Sequence, residues 1–156
     1  MRRSDREITD PERIQKIIDG CHCCRIGIND NGTVYIVPMN FGYEKDEGKY
    51  ILYFHSAKEG RKIDLLQASP QVGFEMDTGY RLNRASIACA CSASFQSVIG
   101  TGVIRIVNDY EEKKKALLAI MRHNTGESHW EFHDEMLDAV CILRLAVHAL
   151  TCKEHL

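Results

Sequence analysis

Residues 52–62 read LYFHSAKEGRK. An apolar run stops at His55 and Ser56; Ala57 and Lys58 follow, and Arg61 and Lys62 stand side by side one short turn later. A hydroxyl, an imidazole and fixed cations at this spacing are what a doubly charged anion needs. A phosphomonoester carries about −1.5 to −2 charges at neutral pH. Arg61 can meet it with two parallel N–H bonds, Lys62 adds a point charge and Ser56 a hydroxyl. Each charge-assisted bond contributes roughly 1.5–3 kcal/mol, so three supply about three to six decades of affinity before the costs of binding. A helix starting here would add its free N–H groups. The same letters also spell a capping box, with Ser56 answered by Glu59 and the cations simply solvated. Both readings predict a helix over 57–67.

The other reactive side chains point to less. Seven cysteines, at 21, 23, 24, 89, 91, 141 and 152, are an odd number without an export signal, so a disulfide framework is not expected. CHCC (21–24) and CAC (89–91) lack the two-to-four-residue gaps of zinc pairs. Buried free thiols are the expectation, and no metal. His129 and His133 have i, i+4 spacing but no glutamate to complete a zinc-protease motif. His55 is the one histidine beside a prospective anion, where it could stay protonated or donate to a ligand. EEKKK (111–115) reads as a solvated helix face.

These groups need elements to hold them. TDPERIQKIIDG predicts a helix, with Thr9 or Asp10 as cap, Pro11 in the first turn and Gly20 at its end. CHCCRIGI is a strand, NDNG a tight hairpin turn and TVYIVPMNFGY the return strand, with Pro38 demanding an edge, a bulge or the strand's end. KYILYFH follows another turn and is apolar on both faces, which requires a helix or a second subunit outside the sheet. Strands are predicted over 69–78, 94–108 and 139–153, and helices over 109–124 and 128–137. Gly100 and Gly102 inside a strand suggest a bulge, or a backbone pressed against a ligand or another chain. The total is about six strands with hairpin links, not the βα alternation of a doubly wound sheet.

Composition narrows the partners. At 156 residues the default is one domain spanning 1–156. Lys and Arg number 20 against 22 Asp and Glu, a net charge of −2 that favours neither nucleic acid nor an anionic membrane. The uncharged window 85–104 is too polar for a membrane span. MRRSDREITDPERIQ has no apolar leader stretch, which predicts a cytoplasmic protein.

VPMNFGY (37–43), LYFHSAKEGRK (52–62), SPQVGFE (69–75), FQSVIGTG (95–102) and WEFHDEML (130–137) occur in that order. The series resembles the FMN-binding split-barrel superfamily of pyridoxamine 5′-phosphate oxidase, and within it the 5-nitroimidazole-resistance (Nim) branch. The resemblance implies a mainly β fold: a six-stranded antiparallel split barrel with flanking short helices, forming a homodimer with FMN at the interface. It implies that Pro38, Met39, Asn40 and Phe41 run along the flavin ring, and that His55, Ser56, Ala57 and Lys58 line the ribityl and phosphate end. Arg61 and Lys62 match the phosphate-binding pair. Gln96, Ser97 and Val98 reach a second subunit's flavin, Trp130 covers a flavin edge, and His55 is the functional histidine. Nitroaromatic reduction with NAD(P)H as reductant is the implied activity; the alternative is a non-catalytic flavin- or haem-binding split barrel. Gln96 stands between Phe95 and Ser97, where the true oxidase has basic residues for pyridoxal phosphate, and the chain's ending, TCKEHL, lacks the oxidase's arginines. Pyridoxamine phosphate oxidation is therefore not expected.

Overall fold

The computed structural model describes residues 4–156. The reading of the chain's first three residues lies outside them. A 3-10 turn (Ser4–Arg6) leads into β1 (Glu7–Ile8), followed by α1 (Pro11–Asp19), β2 (Cys24–Asp30), β3 (Thr33–Met39), β4 (Gly42–Asp46) and β5 (Lys49–Ser56). Then come α2 (Arg61–Ala68), β6 (Gln71–Asn83), β7 (Ser92–Val107), α3 (Tyr110–Thr125), α4 (Asp134–Ala139) and β8 (Cys141–His155). All pairings are antiparallel, in the order β3-β2-β6-β7-β8-β5-β4, with β1 added to β8.

Local chemistry explains most of these elements. The Asp10 carboxylate accepts from the Glu12 N–H at 3.0 Å and Pro11 opens α1, whose Ile17 and Ile18 are buried. Asn31 and Gly32 at the β2–β3 turn have φ of 51° and 90°, which this type of hairpin turn requires. Pro38 is tolerated in β3 because β3 pairs only with β2 and is an edge. The β7–β8 register shifts between Thr101 and Gly102, with the extra residue, His148, on β8 opposite the glycines rather than among them. The backbone there is pressed against its own chain: a Cβ on Gly100 would lie 2.4 Å from the Phe74 ring, and one on Gly102 would lie 2.2 Å from the Ala146 carbonyl.

The sheet encloses one core and carries a second. Leu52 and Phe54 of β5 join Ile26, Phe74, Val98 and Leu143 inside the curved sheet. Ile51 and Tyr53, on the other face, pack with Ile142 and Val107 against Ala116, Ala119 and Ile120 of α3. The outer cover required by the all-apolar β5 is thus a helix of the same chain.

Several expectations need correction. The described residues form eight strands rather than six, and hydrogen bonds do not close the sheet, whose ends are β3 and β4. The return strand breaks at Asn40 and Phe41, because Phe41 turns into the core. β1 is only two residues long and has no pattern to read. The strand expected from Cys21 starts at Cys24, β6 runs on to Asn83, and α4 begins at Asp134 rather than 128. His133 therefore sits just before that helix, and the helical His129–His133 pair does not exist. Among the described residues no helix is long and apolar enough to cross a membrane.

Gly42 tests how tightly α3 is seated. A Cβ there would lie 2.3 Å from the Ala119–Ile120 backbone, which cannot yield as a flexible side chain would. Gly42→Ala should cost about 2 kcal/mol or more in chemical denaturation. A loss under about 0.5 kcal/mol, the size of an ordinary surface substitution, would show α3 to be loosely held.

Candidate functional site

The end of β5 is built by strand alternation. Tyr53 lies under α3 and Phe54 in the main core; His55 then emerges exposed on the α3 side, and Ser56 turns back inside. Ser56 is 7% exposed and its Oγ has no hydrogen-bond partner. An unpaired buried hydroxyl costs roughly 1–3 kcal/mol, so it marks a place where a ligand atom would be favoured. Ser56 does not cap a helix. It is the last residue of β5, and α2 begins five residues later at Arg61, capped only by the backbone of Gly60 at φ 122°. The predicted capping box fails because Gly60, which can adopt that φ without a Cβ clash, takes over the turn. The intrahelical ladder starts with Ile63 and Asp64 donating to the Gly60 carbonyl, at 2.8 and 3.2 Å. The N–H groups of Arg61 and Lys62 precede it.

Ser56 is paired in register with Cys141 at the start of β8. Burial pushes the Cys141 thiol up, while Lys113, Lys62 and Lys58 pull against that rise. Three lysines thus act on the thiol that is paired in register with Ser56. Arg61 is turned elsewhere: its guanidinium pairs with Asp30 and lies 4.7 Å over the Tyr35 ring. Ala57 and Lys58 are exposed.

Register also brings up the β3–β4 junction. Gly42 lies opposite Tyr53 in an antiparallel pair, so residues 39–41 run on toward the Phe54–Ser56 end of β5. Pro38 and Asn40 are exposed there, with Asn40 donating to the His22 carbonyl at 2.9 Å. Met39 and Phe41 are core residues, and Phe41 stacks 4.4 Å from the His123 ring. The free edge of β3 leaves backbone N–H and C=O groups unpaired.

The remaining predicted residues lie apart from this cluster in their contacts. Gln96 donates to Glu154 at 2.6 Å, and Glu154 also pairs with Arg13 of α1. Ser97 is half-buried, and Val98 is fully buried in this chain's own core. Trp130 is 38% exposed and its indole donates to the Glu127 carbonyl at 3.2 Å.

Lys113 escaped the sequence reading. EEKKK reads as a solvated face, yet Lys113 is buried and its ammonium donates to the Leu137 carbonyl at 2.9 Å. The signal was available in the helix phase, since Lys113, Ala116 and Ile120 share the buried stripe of α3. The cysteines divide: Cys21, Cys24, Cys141 and Cys152 are buried as expected, Cys23 is half-buried, and Cys89 and Cys91 are exposed near the tip of the β6–β7 hairpin. Among the described residues no cluster of His, Cys, Asp and Glu is placed to hold a metal.

A cavity of about 740 Å³ lies not at the β5 end but between α3 and the sheet. Several of its charges pair with one another: Lys115 meets Glu44 at 2.7 Å, and Arg105 and Arg144 share Glu112 at 2.5 and 3.5 Å.

The family model for pyridoxamine 5′-phosphate oxidase matches residues 10–154. No curated protein sequence matches the chain. Among solved structures, a candidate 5-nitroimidazole antibiotic resistance protein from Bacteroides thetaiotaomicron is 36% identical, covering 95% of this chain and 86% of that one, with a TM-score of 0.81. The flavocytochrome Anf3 from Azotobacter vinelandii is 21% identical over all of this chain and 72% of its own, with a TM-score of 0.79. An FAD and heme binding protein from Mycobacterium smegmatis is 16% identical, covering 96% and 73%, with a TM-score of 0.81. These last two likenesses concern the fold.

Thiol reactivity reports on the β5–β8 end. Burial holds the Cys21 thiol up at about 12 and raises Cys24, Cys141 and Cys152 as well. Iodoacetamide at pH 8 should therefore modify Cys89 and Cys91 in the native protein, and these four only on unfolding. Rapid native labelling of Cys141, read by peptide mass spectrometry, would mean that the strand end is open.

Proposed function

The chain belongs to the pyridoxamine 5′-phosphate oxidase family, and from that premise we propose that it is an FMN-dependent oxidoreductase of the nitroimidazole-resistance type. One observation carries the reading: the buried Ser56 hydroxyl has no partner, and Lys58 and Lys62 exert their field at the same strand end without a salt bridge to any described carboxylate. A flavin phosphate fits that set. The 36% identity over 86% of the candidate resistance protein supports the nitroimidazole branch over the oxidase. So does Gln96, whose amide is engaged by Glu154 where the oxidase pattern has basic neighbours.

When bound, the flavin supplies electron and hydride transfer. The chain's residues do the rest. The Ser56 Oγ donates to a phosphate oxygen, and Lys58 and Lys62 neutralise its charge. Arg61 joins them by exchanging the Asp30 carboxylate for phosphate. Pro38, Asn40 and the free edge of β3 orient the ring. The exposed His55 imidazole holds a proton at the mouth and passes it to a nitro oxygen of the substrate. Exposed Val34 and Ile36 of β3 and Ile99 of β7 form the seam with a second copy, whose Gln96 and Ser97 approach the flavin. Nitroaromatics are the substrates, NAD(P)H the reductant and the cytoplasm the location.

The purified protein should show flavin absorbance and release FMN, identified by mass, on denaturation. NAD(P)H should bleach it, and a 5-nitroimidazole should restore the colour. Lys62→Ala should weaken FMN binding about tenfold or more. Flavin-loaded protein that no NAD(P)H or nitroimidazole turns over would overturn the activity; binding of FMN unaffected by Lys62→Ala would overturn the phosphate site.

A further inference from the structure

Lys113 is the only charged side chain among the buried described residues. Its Nζ donates to the carbonyls of Leu137, at 2.9 Å, and Val140, at 3.4 Å, and lies 5.7 Å from the Tyr110 ring centre. It makes no salt bridge with any described carboxylate; Asp138, on α4, is taken by the Tyr110 hydroxyl. A buried ammonium satisfied only by neutral carbonyls is costly unless an anion comes within reach. Val140 immediately precedes Cys141, which is paired with Ser56, so the ammonium is held within one residue of the strand pair that ends at the orphan hydroxyl. The two carbonyls that it holds close α4 and lead into β8.

We infer that Lys113 is the buried cation of the anion site at the end of β5, and that phosphate binding there is coupled to the seating of α4. The inference rests on the phosphate site proposed above. Lys58 and Lys62 approach from solvent, whereas Lys113 approaches from α3. A dianion at Ser56 offsets the uncompensated charge and so strengthens the hold of Lys113 on residues 137–140. Occupancy then orders α4, and with it the end of the segment that carries Trp130. Lys113 is a positioning residue in this scheme, acting on the phosphate rather than on the reacting atoms.

The test compares FMN with riboflavin, which shares the ring but lacks the phosphate, by fluorescence titration of flavin-free protein. Lys113→Met should lower FMN affinity about ten- to a hundredfold and leave riboflavin affinity unchanged, while Lys113→Arg keeps most of the difference. A merely structural lysine would weaken both ligands alike. In the wild type, hydrogen exchange across 134–140 should slow with FMN and not with riboflavin. That measurement needs no variant, should Lys113→Met fail to fold. If Lys62→Ala narrows the FMN-to-riboflavin ratio while Lys113→Met does not, or if exchange across 134–140 ignores FMN, this inference falls and the phosphate site stands. If the wild type binds FMN no better than riboflavin, the phosphate site falls and this inference with it.

Discussion

The burial of β5 on both faces is the constraint on which the candidate site depends. Leu52 and Phe54 fill the inside of the curved sheet, and Ile51 and Tyr53 are sealed under α3. Apolar residues on both faces would by themselves specify register weakly. Its neighbours supply what the pattern lacks: six paired residues along β8, five along β4, and the Glu47–Gly48 turn with both φ angles positive. With the strand pinned, its last residues have no freedom. His55 must face outward and Ser56 inward, and the loop to α2 must leave from one fixed point.

Charge distribution sharpens that geometry. Elsewhere on the sheet, cations meet carboxylates: Arg25 with Glu75 and Asp77, Arg105 and Arg144 with Glu112, Lys115 with Glu44. Such exposed pairs contribute little to stability, but they leave little net field for a ligand. At the β5 end the cations are ammonium groups without described carboxylate partners, and the polar atom among them is an unpaired hydroxyl. A locally unbalanced charge beside a desolvated donor distinguishes a binding locus from a solvated ion-pair network. The cavity beneath α3 shows the contrast, since its Lys115, Arg105 and Arg144 are already engaged by Glu44 and Glu112.

Many of the elements were legible in the chain. The hairpin at Asn31–Gly32, the edge position of Pro38 and the cover over β5 all follow from residues with few conformational options. The misses share a cause. Phe41 splits a continuous-looking strand because the core needed a ring there, and β1 exists only because β8 offers an edge. Ser56 fits the capping-box pattern with Glu59, yet the helix starts later because Gly60 adopts a conformation that the pattern does not encode.

The cations and hydroxyl of residues 55–62, and the family to which the order of the five motifs points, were determined by the sequence, because residue type and spacing are local facts. Which of those groups share a space was decided only by the tertiary structure. Folding turns Arg61 onto Asp30, draws Gln96 to Glu154, and brings Lys113 of α3 to the carbonyls of Leu137 and Val140 that lead into β8. Those outcomes depend on pairings between residues more than twenty positions apart. Electrostatic and hydrogen-bond energies depend on distance in space, and only the packed chain sets that distance.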